Sequence, residues 1–175
     1  MLIAFSGRKG SGKTTAAKML VDDCGFHRLR FAGPMKRMIR VLLTDLGYTD
    51  DAAEKMVDGP LKESEVPELD CTPRHLLQTI GTDWGREHVR EDMWPIITMN
   101  AAERLLSDGR SVVIDDCRFP NEAEAVRARG GIIVELHRIS GSGAKMDTHE
   151  SEKQVHEIDP DYVVANNGGL DRLRR

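Results

Sequence analysis

The chain begins with Met-Leu-Ile-Ala-Phe-Ser, residues Met1–Ser6, and continues directly into Gly-Arg-Lys-Gly-Ser-Gly-Lys-Thr, residues Gly7–Thr14. The first stretch is a short apolar run, as expected of a buried β-strand, and the octet fits the pattern Gly-x-x-x-x-Gly-Lys-Ser/Thr. The next segment, Thr15–Val21, is predicted to be a helix. A strand, a glycine-rich loop and a helix in direct succession predict a phosphate-binding P-loop.

Each residue type in the octet has a physical role in binding a nucleoside triphosphate. Glycines let the backbone fold into a concave nest of N–H donors, the Lys13 ammonium reaches the β- and γ-phosphates, and the Thr14 hydroxyl is available to Mg²⁺. The dipole of the following helix favours an anion at its N-terminus. A glycine-rich turn without a ligand is the alternative, and the register of all three elements disfavours it. The predicted contacts with ATP are Gly7, Lys9, Gly10, Ser11, Gly12, Lys13, Thr14 and Thr15.

Composition limits the classes of partner. A chain of 175 residues with 39% hydrophobic and 31% charged residues suits a single globular domain. Its net charge of -4 provides no basic field, so we expect no nucleic-acid polymer as a partner. No apolar run approaches the roughly 18 residues of a membrane span, so a cytoplasmic protein without a membrane partner is expected. The three cysteines are far apart and are expected to be reduced thiols.

A second informative stretch is Ser111–Ile114, which is followed by Asp115 and Asp116. Three consecutive apolar β-formers are typical of a strand buried on both faces, as in a parallel sheet flanked by helices. Ligands bind at the carboxyl ends of such strands, where a carboxylate steadies the Mg²⁺ of P-loop enzymes. One of the two aspartates is therefore expected to face the metal and the other to face away, and the residues leave open which.

Thr72 and Pro73 are a favourable start for a helix in which Leu77, Ile80 and Trp84 form an apolar face. At 100° per residue, a different face brings four residues within about 60° of one another. We expect this face either to accept a planar ligand or to be a solvated polar face whose glycines allow close packing. Its members are Arg74, Gln78, Gly81 and Gly85.

Other polar residues lie just past predicted strand ends. Lys36 and Arg37 lie at the start of a helix after the predicted strand His27–Ala32, and either one of them, taken to be Lys36, meets a phosphate or they are solvated first-turn cations. Arg138 follows the predicted strand Ile132–His137, and is either a charge-stabilising lid residue or a plain loop cation. Asn167 lies in the turn after the last predicted strand, where several P-loop folds hold the nucleoside base. The acidic segment 48–70 is interpreted mainly as solvated surface, with a mobile cap or a homodimer contact as alternatives.

Four blocks of the chain resemble the phage-type deoxynucleoside monophosphate kinases, within the larger group of P-loop nucleoside monophosphate kinases. The resemblance implies a P-loop NTPase fold of class α/β, with a five-stranded parallel sheet of order 2-3-1-4-5 flanked by helices. It also implies transfer of the γ-phosphate of ATP to a dNMP, with the protein in the host cytoplasm if a phage encodes it. The blocks are Gly7–Thr14, Phe31–Lys36, Thr72–Arg86 and Asp116–Glu122.

Carried over residue by residue, the resemblance implies that Lys13 and Thr14 hold ATP and Mg²⁺ and that Asp116 is the metal-side carboxylate. Arg74, Gln78, Arg86 and Arg118 would shape the acceptor site together with Lys36. Arg138 would act from a lid. Within one kinase domain, residues 1–175, the acceptor-binding or cap region is expected at about 33–90 and a short lid at about 138–150. The residues expected to act in catalysis are Lys13, Asp116, Arg118 and Arg138.

Two other functions remain open at the level of sequence. One is a P-loop kinase of a different small phosphorylated acceptor, such as a phosphomevalonate-type kinase. The other is a non-catalytic ATP-binding regulatory module. A cluster of arginines on the ligand side disfavours the module, because it suits two sets of phosphates facing each other.

Overall fold

The computed structural model of the chain describes residues 1–138, 155–169 and 173–174. The chain divides into two compact units, of which the first comprises Met1–Phe31 with Thr98–Arg175 and the second comprises Ala32–Ile97. The single domain with an acceptor region at about 33–90 stays a prediction. Among the described residues, no helix is long and apolar enough to span a membrane.

The first unit is built on a parallel sheet whose described strands run in the order β2-β3-β1-β4-β5. This confirms the order 2-3-1-4-5. The strand β1 lies at the centre, where Ile3 is in register with Val113 of β3 and Ile132 of β4. The predicted second strand is shorter than expected and ends at Leu29. The strands are β1 Leu2–Ser6, β2 His27–Leu29, β3 Val112–Ile114, β4 Ile132–His137 and β5 Tyr162–Ala165.

Six α-helices are present in the described part of the chain, together with short 3-10 turns and one π-helix, Thr79–Val89. Gly25 ends the first helix in the left-handed conformation, with φ 70°, as a C-terminal cap. The helices are α1 Lys13–Cys24, α2 Gly33–Asp45, α3 Asp50–Val57, α4 Pro73–Gln78, α5 Met93–Ser107 and α6 Pro120–Arg127.

Side chains of β1 alternate between the two faces of the sheet, and both faces are covered. Leu2 and Ala4 pack in a cluster with residues of α5 and α6. Ile3 and Phe5 pack on the other face with Ala17 of α1. The centre of the sheet is therefore buried between helices, whereas the strand Tyr162–Ala165 at its edge is exposed, and the ends of the strands are left to form a site.

The second unit contains its own apolar core. Helix α3 contributes Ala53, Met56 and Val57, which are buried against residues of α2. The interpretation of segment 48–70 as mainly solvated surface is therefore wrong for these residues. Thr49 caps the helix by accepting a hydrogen bond from the Ala52 amide at 3.2 Å. A helix of two turns offers too few apolar positions to stand out among many acidic residues.

The π-helix Thr79–Val89 changes the face predicted from 100° per residue, because its i→i+5 bonds give a wider turn. Gly81 and Gly85 are buried, and a Cβ would lie 2.6 Å from Met35 Sδ at the first and 2.5 Å from the Trp94 ring at the second. The glycines thus serve close packing, and a ligand surface above them is not what the structure shows. Trp84, expected on the apolar face, is 41% exposed.

Candidate active site

The P-loop connects the end of β1 to the start of α1 and depends on three glycines in left-handed conformations. Gly7, Gly10 and Gly12 have φ values of 119°, 82° and 104°. A Cβ at Gly7 would collide with the Leu136 carbonyl, and a Cβ at Gly12 would collide with the Asn166 side chain. The tight concave loop therefore requires glycine for both its dihedral angles and its surroundings.

The side chain of Lys13 is held inside this loop. Its Nζ donates hydrogen bonds to the Gly7 carbonyl at 2.5 Å and to the Arg8 carbonyl at 2.8 Å. The residue is buried, in contrast to its neighbours Thr14 and Thr15, which are exposed. An ammonium group fixed at the concave side of the loop is positioned to meet an anion bound there.

A polar atom of the loop lacks a partner where phosphate is expected. Ser11 Oγ is buried and has no hydrogen-bond partner among the described residues. A buried hydroxyl without a partner costs free energy, and a phosphate oxygen in the loop would satisfy it. The residues present therefore fit a bound triphosphate.

The two aspartates after β3 have different partners. Thr14 Oγ1 donates to Asp115 Oδ2 at 2.8 Å, and Asp115 is buried. Asp116 Oδ1 instead accepts a hydrogen bond from the Phe31 amide at 2.8 Å. The structure thus brings Asp115 to the P-loop threonine, whereas the resemblance implied Asp116. The chain bends at Asp115, directly after β3, and the two side chains have different partners.

Arg28 is a further residue of this site, and the sequence alone predicts no role for it. It lies in the middle of β2, and its Nε and Nη2 donate to the two oxygens of Asp115 at 3.0 and 2.5 Å. The residue types of His27, Arg28 and Leu29 do not indicate an ion pair with Asp115. The contact can be inferred only from the pairing of β2 with β3, in which Arg28 is in register with Val113.

The turn after β5 touches the P-loop through Asn166. Its Nδ2 donates to the Ser11 carbonyl at 2.9 Å, and its backbone N–H donates to the His137 carbonyl at 2.7 Å. From the sequence, the neighbouring Asn167 is the residue expected to contact the nucleotide, and it is exposed. Asn166 therefore supports the loop from the side of β4 and β5.

The connection from β3 to α6 is held by a buried carboxylate. Glu122 Oε2 accepts hydrogen bonds from the backbone amides of Arg118 at 2.8 Å and Phe119 at 3.2 Å.

Burial raises the pKa of the Cys117 thiol well above its ordinary value, and the charges of Glu122 and Asp116 raise it further. Cys117 is therefore a neutral thiol and not a nucleophile.

The remaining predicted residues divide between the two units. Arg138 is exposed directly after β4, and the predicted lid lies largely outside the described residues, since 139–150 are not among them. In the second unit, Lys36 is paired with Asp58 and Arg74 with Glu63. Arg86 Nη1 donates to the Glu91 carbonyl at 3.2 Å, and Gln78 is the last residue of α4.

Comparison with known proteins identifies one family. A family model described as deoxynucleotide monophosphate kinase matches residues 64–175. A protein of Acanthamoeba polyphaga mimivirus, whose name gives that same activity provisionally, is 33% identical over 99% of this chain and 92% of its own. The deoxynucleoside-5'-monophosphate kinase of Escherichia phage T5 is 26% identical over 73% of this chain and 72% of its own.

Among solved structures, the dephospho-CoA kinase of Campylobacter jejuni has a similar fold. The TM-score is 0.52 at 10% sequence identity, and the match covers 99% of this chain and 91% of that one. At this identity the likeness concerns the fold alone.

Proposed function

Since this chain belongs to the deoxynucleotide monophosphate kinase family, we propose that it transfers the γ-phosphate of ATP to a deoxynucleoside monophosphate, giving ADP and the deoxynucleoside diphosphate. The structural observation that carries the proposal is the hydrogen bond from Thr14 to Asp115 beside the P-loop. It joins the phosphate-binding loop to a strand-end carboxylate, as phosphoryl transfer in P-loop enzymes requires.

Catalysis by these residues rests on position and charge. The backbone amides of the P-loop and the Lys13 ammonium hold the phosphates of ATP and offset the charge that spreads over the transferred group. The acceptor phosphate is already anionic at neutral pH, so its attack needs no general base. Productive geometry between donor and acceptor then supplies most of the rate enhancement.

We assign the metal-binding role to Thr14 and Asp115. Because the Thr14 hydroxyl gives its one hydrogen to Asp115, its lone pairs remain available to a cation. Bound Mg²⁺ would neutralise charge on the phosphates. The implied role of Asp116 stays a prediction, and its bond to the Phe31 amide favours a structural role instead.

Comparing two variants tests this assignment. We expect Asp115→Asn to weaken the Mg²⁺ dependence of ATP binding about 10–100-fold, as is typical of residues that support a metal site. Asp116→Asn should leave that dependence nearly unchanged. The reverse order would return the metal-side role to Asp116.

For the acceptor, we propose Lys36, Arg74, Gln78, Arg86 and Arg118 as binding residues, with Arg138 acting on the transferred group. Lys36 and Arg74 are paired with carboxylates in this structure. A phosphate dianion offers a stronger partner than the exposed carboxylate of Glu63, so substrate binding is expected to replace that pair, whereas Lys36 is expected to share its ammonium between the phosphate and the partly buried Asp58. A homodimer and a cytoplasmic location stay predictions from the sequence.

The test is a coupled assay of ADP release with ATP and Mg²⁺, in which dAMP, dCMP, dGMP, dTMP and the ribonucleotides are offered one at a time. We expect at least one deoxynucleotide to raise ADP release far above the rate without acceptor. Stimulation by phosphomevalonate alone would favour the other kinase class. Nucleotide binding without any stimulated release would favour a regulatory module.

A further inference from the structure

We propose that Arg28 is a positioning residue for the metal site, and this inference rests on the proposed function. Arg28 holds the Asp115 carboxylate so that Asp115 in turn fixes the Thr14 hydroxyl. The influence of Arg28 on Mg²⁺ and ATP passes through Asp115.

The geometry of the contact is bidentate. Arg28 Nε lies 3.0 Å from Asp115 Oδ1, and Arg28 Nη2 lies 2.5 Å from Asp115 Oδ2. A planar guanidinium fork paired with both oxygens fixes the rotation of the carboxylate, which a single hydrogen bond does not. The edge strand β2 therefore sets the orientation of the side chain that directly follows β3.

The orientation of the Asp115 carboxylate depends on its few partners because the side chain is buried. The side chain of Asp115 is 2% exposed, whereas that of Arg28 is 32% exposed. A buried carboxylate needs charged or hydrogen-bonding partners, and among the described residues those of Asp115 are Arg28 and Thr14. Without Arg28, Asp115 would keep only one donor and would be free to rotate away from Thr14.

The occupied lone pairs define how Asp115 acts. A carboxylate has roughly four lone-pair positions, and the three hydrogen bonds to Asp115 use three of them, including both on Oδ2. Asp115 Oδ2 therefore accepts the hydrogen bond of the Thr14 hydroxyl, which leaves the threonine lone pairs to the cation. Arg28 thus commits Oδ2 to orienting Thr14 and leaves one position on Oδ1 for the cation.

The experiment measures binding of a fluorescent ATP analogue to the full chain, once in EDTA and once in excess Mg²⁺, and takes the ratio of the two affinities. We expect Arg28→Met to reduce this Mg²⁺ enhancement about 10–100-fold and to leave the affinity in EDTA within about twofold. Arg28→Lys should recover only part of the loss, because it keeps the charge but not the fork. The control is Arg110→Met, an exposed arginine before β3, which should match the wild type.

A double variant tests the route through Asp115. In the Asp115→Asn background, Arg28→Met should cause no further loss of the Mg²⁺ enhancement; an additive loss would overturn the proposal. If Arg28→Met does not fold, the comparison of Arg28→Lys with wild type decides, and an unchanged enhancement there refutes the role. If folded Arg28→Met keeps the full Mg²⁺ enhancement that the wild type shows, this inference alone is overturned. A wild type without any Mg²⁺ enhancement overturns the proposed metal site and this inference together.

Discussion

Replacing Gly12 by alanine is expected to disable the P-loop for two separable reasons. The first is backbone strain, because Gly12 has φ 104° and an L-residue in a left-handed conformation costs about 1–2 kcal/mol. The second is a collision of the new Cβ with the Asn166 side chain. To avoid it, Asn166 must give up its 2.9 Å hydrogen bond to the Ser11 carbonyl, a loss of about 1 kcal/mol.

These two free-energy costs can be converted into an expected loss of ATP affinity. The loop of the free variant can relax away from the left-handed conformation, and ATP binding must then restore it, so the strain alone corresponds to about 5–30-fold weaker ATP binding and the lost hydrogen bond adds roughly another fivefold. Gly10→Ala is the matched control, because Gly10 has φ 82° and nothing lies within 4 Å of a Cβ built there. It should show the strain without the collision.

The assay is titration of ATP binding by calorimetry, with thermal unfolding to confirm that each variant is folded. We expect the order wild type, Gly10→Ala, Gly12→Ala in decreasing affinity. Asn166→Ala alone should weaken ATP binding roughly fivefold, but in the Gly12→Ala background it should cause little further loss, because the hydrogen bond is already gone. Equal effects of the two glycine substitutions would refute the reasoning, as would a double variant that binds roughly fivefold more weakly than Gly12→Ala.

Three further expectations follow from individual contacts. Lys13→Ala should lower turnover by orders of magnitude while circular dichroism shows the fold intact; a folded variant with normal turnover would remove the lysine from the mechanism. Trp94→Phe loses a buried indole hydrogen bond of 2.8 Å and buried ring atoms, together about 2 kcal/mol, whereas Trp84→Phe on an exposed ring should cost far less in denaturant unfolding; equal losses would contradict this. Because burial raises the pKa of Cys117, its thiol stays neutral as pH rises past the ordinary range, so alkylation mapped by mass spectrometry should modify exposed Cys24 well before Cys117 up to pH 9.

The sheet could be predicted from the sequence because its signals are local. The apolar run Val112–Ile114 and the P-loop after Met1–Ser6 each identify their own element, and the resemblance supplied the strand order that the structure confirms. The end of β2 was placed three residues too late. The partner strand β3 ends at Ile114, opposite Leu29, and the Phe31 amide bonds to the Asp116 carboxylate instead of to a neighbouring strand.

The arrangement of the site was less predictable because it depends on pairs of residues from different elements. The orientation of Asp115 is set by Arg28 across a strand pairing, and sequence order gives no indication of that contact. Likewise the glycine face after Gln78 was derived from an α-helical turn of 100° per residue. The π-helix rotates those positions, so Gly81 comes to pack against Met35.

The most direct test of phosphoryl transfer is to follow the γ-phosphate itself. Wild-type protein is incubated with γ-labelled ATP, Mg²⁺ and the deoxynucleotide that best stimulates ADP release, and the products are separated by chromatography, with Lys13→Ala as the control. We predict that the label appears in the deoxynucleoside diphosphate and that Lys13→Ala does not produce it. Label found only in inorganic phosphate, or remaining in ATP with folded wild-type protein, would contradict the assignment as a deoxynucleoside monophosphate kinase.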